Sequence, residues 1–102
     1  EQEVSAWDVS NVKDMSHMFE FARNFNQDVS AWNVDSVTDM KSMFANAPKF
    51  SQALNAWNVA KVTDMSHMFS HADHFNQDLG AWSVSNVEHM TMMFHWALTF
   101  DR

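Results

Sequence analysis

The chain reads as an α/β repeat: a solenoid of about four 25-residue coils, each a short parallel strand plus a short helix. Three observations carry this reading. Trp7, Trp32, Trp57 and Trp82 recur with a spacing of 25, and Val9, Val34, Val59 and Val84 keep step with them without an insertion. Within each repeat the apolar residues switch from alternation near the Trp to a helical spacing near the Met-Phe pair. Met18-Phe19, Met43-Phe44, Met68-Phe69 and Met93-Phe94 then lead to Ala22, Ala47, Ala72 and Ala97. A period held this way marks units that stack because none can bury its own apolar face. The whole of 1–102 is expected as one domain, with tandem repeats starting near 7, 32, 57 and 82.

The helix is expected where Met15, Met18, Phe19 and Ala22 fall at i, i+3, i+4 and i+7, a one-sided apolar stripe. Asp14, Asp39 and Asp64 stand where an N-cap belongs, and His89 replaces them in the last coil. Pro48 follows Ala47, where a helix should stop. Two or three turns are too short to persist on propensity, so packing on the next coil must hold the element. Asn26-Gln27, Ser51-Gln52 and Asn76-Gln77 then align as amides able to bond from coil to coil. The strand is expected at Val29 to Val34, with Trp32 and Val34 pointing inward and Ala31, Asn33 and Asp35 outward. Spacings of three to Val37 and Met40 suit a corner. The four Trp are expected to form a buried ladder.

Composition narrows the function. Nine Met, nine Phe and five Trp stand beside three Leu, so aromatic rings and thioethers fill the core. A net charge of −7 with only six scattered Lys and Arg argues against nucleic acid as a partner. Cysteine is absent, which removes disulfides and thiolate chemistry. No apolar run approaches a membrane span, so no direct membrane insertion is expected. Glu1 in place of Met suits a processed or excised segment.

The units WDVSNVKDMSHMFEFARNFNQDVSA and WNVAKVTDMSHMFSHADHFNQDLGA resemble the short-repeat form of the BspA-like leucine-rich-repeat surface proteins, whose pattern is W-[DN]-V-S-x-V-x-D-M-x-x-M-F-x-x-A-x-x-F-N-Q-D-[LV]. The resemblance covers nearly the whole chain. It implies a right-handed, leucine-rich-repeat-like solenoid and a segment of a larger extracellular or cell-surface protein used for adhesion and protein contact. It implies no enzyme activity and no cofactor.

Departures from the pattern concentrate in the last coil, at His89, Met92, His95, Trp96 and Leu98. On helical spacing, His67, His71 and His74 share an outward stripe in which a pair at i, i+4 could hold a metal ion, although no motif fixes a third ligand. They are the metal candidates, and a metal-dependent binding module is the alternative function. The Ser and Asp residues recur where turns and caps belong, which gives no catalytic constellation. The strand face offers a lattice of small residues. Its varied charge and lack of a threonine ladder weigh against ice binding. The helix face places His17-Phe21, Ser42-Asn46, His67-His71 and Met92-Trp96 in matching columns, apolar only in the first and last coils. Exposed aromatic and Met residues mark contact surfaces. Phe21, Met92, His95 and Trp96 are therefore the expected contacts, with a protein partner or a neighbouring segment of the same protein, in a non-enzymatic structural or interaction module that is a segment of a surface protein or a subunit of a larger assembly. A different role for Phe21 and Trp96 is to fold over the ends as caps.

Overall fold

The short polar residues that recur between apolar positions act first, by bending the chain. Asp14 accepts the Ser16 N–H at 2.8 Å and its hydroxyl at 2.6 Å, Asp39 accepts the Lys41 N–H at 3.0 Å, and Asp64 accepts the Ser66 N–H at 2.9 Å. A side-chain oxygen bonded to the amide two residues on is an Asx turn, a local alternative to helix or sheet. Two more columns use the same device. Asp8, Asn33 and Asn58 hold Ser10, Asp35 and Ala60, while Asp28 and Asp78 hold Ser30 and Gly80. The residues expected as helix caps are thus turn formers.

Hydroxyl and amide donors favour the charged carboxylate. The Ser hydroxyls and then the Ser amides hold Asp8, Asp14 and Asp28 below the usual carboxylate range. At Asp64 partial burial acts in the opposite direction, but the Ser66 bonds and the charges of His89 and Lys41 outweigh it, so its pKa is also lowered.

The structure, a computed structural model, describes residues 3–97, and the expectation for Leu98 lies outside them. It overturns the α/β leucine-rich-repeat-like solenoid. Among the described residues there is no helix and no extended strand; the bridged pairs are isolated parallel contacts, Asp14 with Asp39, Asp39 with Asp64 and Asp64 with His89. In place of the helix, turns follow one another. Met43, Ala45 and Ala47 donate to carbonyls three residues back, at Met40, Ser42 and Phe44, each at 3.2 Å. The N–H groups between them leave the unit: Met40, Ser42, Phe44 and Asn46 donate to Asp64, Ser66, Met68 and Ser70 at 2.8–2.9 Å. A helix this short would leave nearly all its end groups without partners, since four N–H and four C=O have none at each terminus. The turn series satisfies every second N–H on the neighbouring unit instead. The strand fails for a related reason. Turns at Val29–Trp32 and Val34–Val37 take up its two ends and leave only Asn33 between them.

The apolar spacing still reports which residues face inward, because the turns keep Met40, Met43, Phe44 and Ala47, and their equivalents Met65, Met68, Phe69 and Ala72, on the buried side. Phe19, Phe44, Phe69 and Phe94 stack at 5.7, 5.7 and 5.5 Å between ring centroids, and Phe25, Phe50 and Phe75 at 5.7 and 6.1 Å. Within a unit Phe44 lies 4.1 Å from Phe50. Offset stacks of this kind contribute roughly 0.5–1.5 kcal/mol each beyond area burial. Gln52 and Gln77 donate to the carbonyls of Asn26 and Ser51 one unit earlier, at 2.8 and 2.9 Å. Among the described residues no buried side-chain nitrogen or oxygen lacks a partner. The Cα radius of gyration is 12.3 Å, close to the ~13 Å of a compact chain this long.

The Trp column stacks from Trp7 through Trp32 to Trp57, with Trp7 6.4 Å from Trp32 at 11°, but it is buried only in its centre. Trp32 and Trp57 are buried and stack at 6.5 Å and 2°, but Trp7 is 42% exposed and Trp82 only partly buried. The indole N–H groups of Trp32, Trp57 and Trp82 donate to the carbonyls of Val4, Val29 and Leu54 at 3.1, 3.0 and 2.9 Å, so each ring is both packed and bonded.

Two outcomes are expected. Trp57→Ala costs about 3–5 kcal/mol in denaturant unfolding, the range for truncating a buried large aromatic, and Trp7→Ala costs much less; equal costs would contradict the packing described. Acid is the second probe. A lowered folded pKa contributes stability that is present above the unfolded value of 3.8 and lost as pH falls through the folded value. Ser16→Ala with Ser66→Ala is expected to lower stability at neutral pH and to flatten its decline in acid. A variant acid profile that parallels the parent's contradicts this.

Candidate functional site

The turn series puts eight residues other than glycine at positive φ, in two columns. His17, Ser42, His67 and Met92 lie at 55–61°, and Phe21, Asn46, His71 and Trp96 at 57–63°. Each is the third residue of a turn whose ends bond, as in Met15–Met18 and Phe19–Ala22, the type II position that normally takes Gly or Asn. For an L-residue this conformation costs roughly 1–2 kcal/mol. Asn46, His17, His67 and His71 are of types enriched in this conformation, whereas Phe21, Met92 and Trp96 are not. Sequence reading missed the strain because no glycine marks it; the available sign was that these two columns change chemistry from unit to unit while their apolar neighbours do not.

The expected contacts gather on this strained rim. Phe21 is 64% exposed, Trp96 59% and Met92 53%. Trp96 stacks on His71 at 6.4 Å and 20°, and the exposed His95 meets Trp96 and His71 edge-on at 5.4 and 5.9 Å. Phe21 and His71 border a groove with Arg23, Asn46, Pro48 and Asp73. The rim therefore runs across all four units, from Phe21 past Asn46 and His71 to Trp96.

The metal candidates separate. His67 is partly buried and His71 exposed, one in each positive-φ column, so they are not neighbours on a helix. His74 bonds through Nδ1 to the Pro48 carbonyl at 2.8 Å, and its backbone N–H reaches the same oxygen. Pro48 thus serves as an acceptor in a turn rather than as a helix stop. Among the described residues no group of three His, Asp or Glu could hold a metal ion. Asp8, Asn33 and Asn58 of the small-residue lattice already hold Asx turns, and their polarity needs no ligand to explain it.

Among the described residues no helix is long and apolar enough to cross a membrane. No curated protein and no solved structure matches the chain. A protein family described as "Mycoplasma protein of unknown function, DUF285" matches residues 1–102. With its 25-residue beat covered from end to end, the chain belongs to the DUF285 family.

Proposed function

We propose that the chain is a non-enzymatic protein-contact module, a segment of a surface-exposed repeat protein of the BspA-like kind. It engages a protein partner, or a neighbouring segment of the same protein, through Phe21, Met92, His95 and Trp96. One observation carries this reading: large apolar side chains occupy exposed positive-φ positions, where they gain little burial and where glycine would relieve strain. Residues that break a local rule without structural gain point to a contact made elsewhere. The acidic balance of −7 supports a protein over nucleic acid as that contact. The repeat runs without an insertion that could form a catalytic cleft, which favours binding over chemistry. A metal-dependent module built on His67, His71 and His74 gains no support, because no helix aligns them and His74 is bonded to the Pro48 carbonyl.

The test exploits the strain. Replacing Phe21 and Trp96 by Gly relieves roughly 1–2 kcal/mol per residue in the folded state, against about 0.4–1 kcal/mol per residue of added freedom in the unfolded chain. Phe21→Gly with Trp96→Gly is therefore expected to melt no lower than the parent while losing capture of a partner from extracts of the source organism. Capture retained at parental strength would sink the contact surface. A melt lowered by many degrees would instead make both rings structural.

A further inference from the structure

The groove bordered by Phe21 and His71 lies along the side of the stack and takes its walls from three successive units. Phe21, Asn46 and His71 form one row and Arg23, Pro48 and Asp73 the other, around a space of about 410 Å³, within the range of small-ligand sites. Its lining is mixed in a particular way. Arg23 can only donate hydrogen bonds and the ionised Asp73 can only accept them, whereas the Asn46 amide does both and a neutral His71 ring has one nitrogen for each. Among the described residues the carbonyls of Phe21, Asn46 and His71 receive no hydrogen bond, so that row also carries one acceptor per unit. Arg23 and Asp73 offset each other, which leaves the groove close to neutral on a chain of −7. Phe21, held outward at a φ of 63°, adds a large open ring.

The geometry points to a neutral oligosaccharide as the occupant, laid along the stack with one sugar residue per unit. A pyranose offers two kinds of surface: hydroxyls that each donate and accept, and a polarised C–H face. The hydroxyls match a lining of donors, acceptors and groups that are both, and the C–H face matches the electron-rich face of an aromatic ring. Surface carbonyls are otherwise held by water, and a sugar hydroxyl replaces that water bond for bond. Spacing favours a glycan over a peptide. Equivalent rings of successive units stand 5.7 Å apart at Phe19, Phe44 and Phe69, close to the length one β-linked sugar residue adds to a chain. An extended peptide repeats a side-chain face only about every 6.6 Å and drops out of register across three units. Neutrality weighs the same way, since a charged ligand would bring a like charge to either Arg23 or Asp73. Met92, His95 and Trp96 do not line the groove, so the site shares only Phe21 with the proposed protein contact.

Chemical-shift titration of the isotopically labelled 102-residue chain tests this, with maltohexaose, cellohexaose and chitohexaose as probes. At least one is expected to shift the amides of Phe21, Asn46 and His71 with a dissociation constant on the order of 1 mM, and to bind more tightly than its own monosaccharide. Phe21→Gly removes the ring and is expected to abolish the shifts. Asn46→Gly keeps the positive φ, removes the amide and is expected to weaken binding roughly three- to tenfold, the worth of one neutral hydrogen bond. Circular dichroism is expected to match the parent in both. Met92→Gly with Trp96→Gly is expected to leave sugar binding unchanged, so loss of protein capture there and loss of sugar binding in Asn46→Gly report on separate sites. No shift from any of the three probes up to about 10 mM, ten times the expected constant, overturns the inference. Shifts that survive in both Phe21→Gly and Asn46→Gly, or a monosaccharide that binds as tightly as its hexamer, overturn it as well. A Gly-Ser hexapeptide that shifts the same amides while the sugars stay inert would assign the groove to peptide and reject the glycan.

Discussion

Every second backbone N–H in the segments 15–22, 40–47 and 65–72 is donated out of its own unit to a carbonyl 24 residues further on. The rest of the molecule depends on this division of donors. The intervening N–H groups close local turns, so the segment satisfies its polar backbone only when another unit lies beside it. An isolated 25-residue unit would lose these bonds and the ring stacks together, which makes the stack the cooperative entity. The same register sets the aromatic columns, since backbones bonded at constant spacing bring each Phe over the Phe of the neighbouring unit. Trp is fixed twice, by stacking and by its indole bond to the preceding unit.

The turns also decide where side chains go. Met and Phe fall inward, small polar residues are consumed in Asx turns, and the positive-φ residues are forced out onto a rim. Most of the polar chemistry is accounted for by folding, so little remains to indicate a ligand. The residues left over are those of the rim. Phe21, Met92 and Trp96 combine exposure with a strained backbone, and that combination, rather than hydrophobicity alone, sets them apart from the exposed Val84 and Met90.

Much of this was legible in the amino-acid order. The beat of Trp32 and Trp57, the inward set of Met40, Met43, Phe44 and Ala47, and the amide contacts of Gln52 and Gln77 all follow from the period. Secondary structure was not. A spacing of 3, 1 and 3 is shared by a helix and by successive turns that return to one face, and periodicity alone cannot separate them. The discriminating quantity was length: a segment as short as 15–22 cannot repay helix nucleation, while a stacked neighbour supplies the missing partners. Asp14, Asp39 and Asp64 misled for a related reason, because an N-cap and an Asx turn use the same side chain on the same amides. The contact candidates were found by their chemistry, but the positive φ beneath them left no mark that residue type could reveal.

Scalar couplings across hydrogen bonds test the division of donors most directly, because they identify the acceptor of each amide in solution. In isotopically labelled protein the account predicts couplings from the N–H groups of Met40, Ser42 and Phe44 to the carbonyls of Asp64, Ser66 and Met68. A coupling from the Phe44 N–H to the Met40 carbonyl, the pattern of an α-helix, would contradict it.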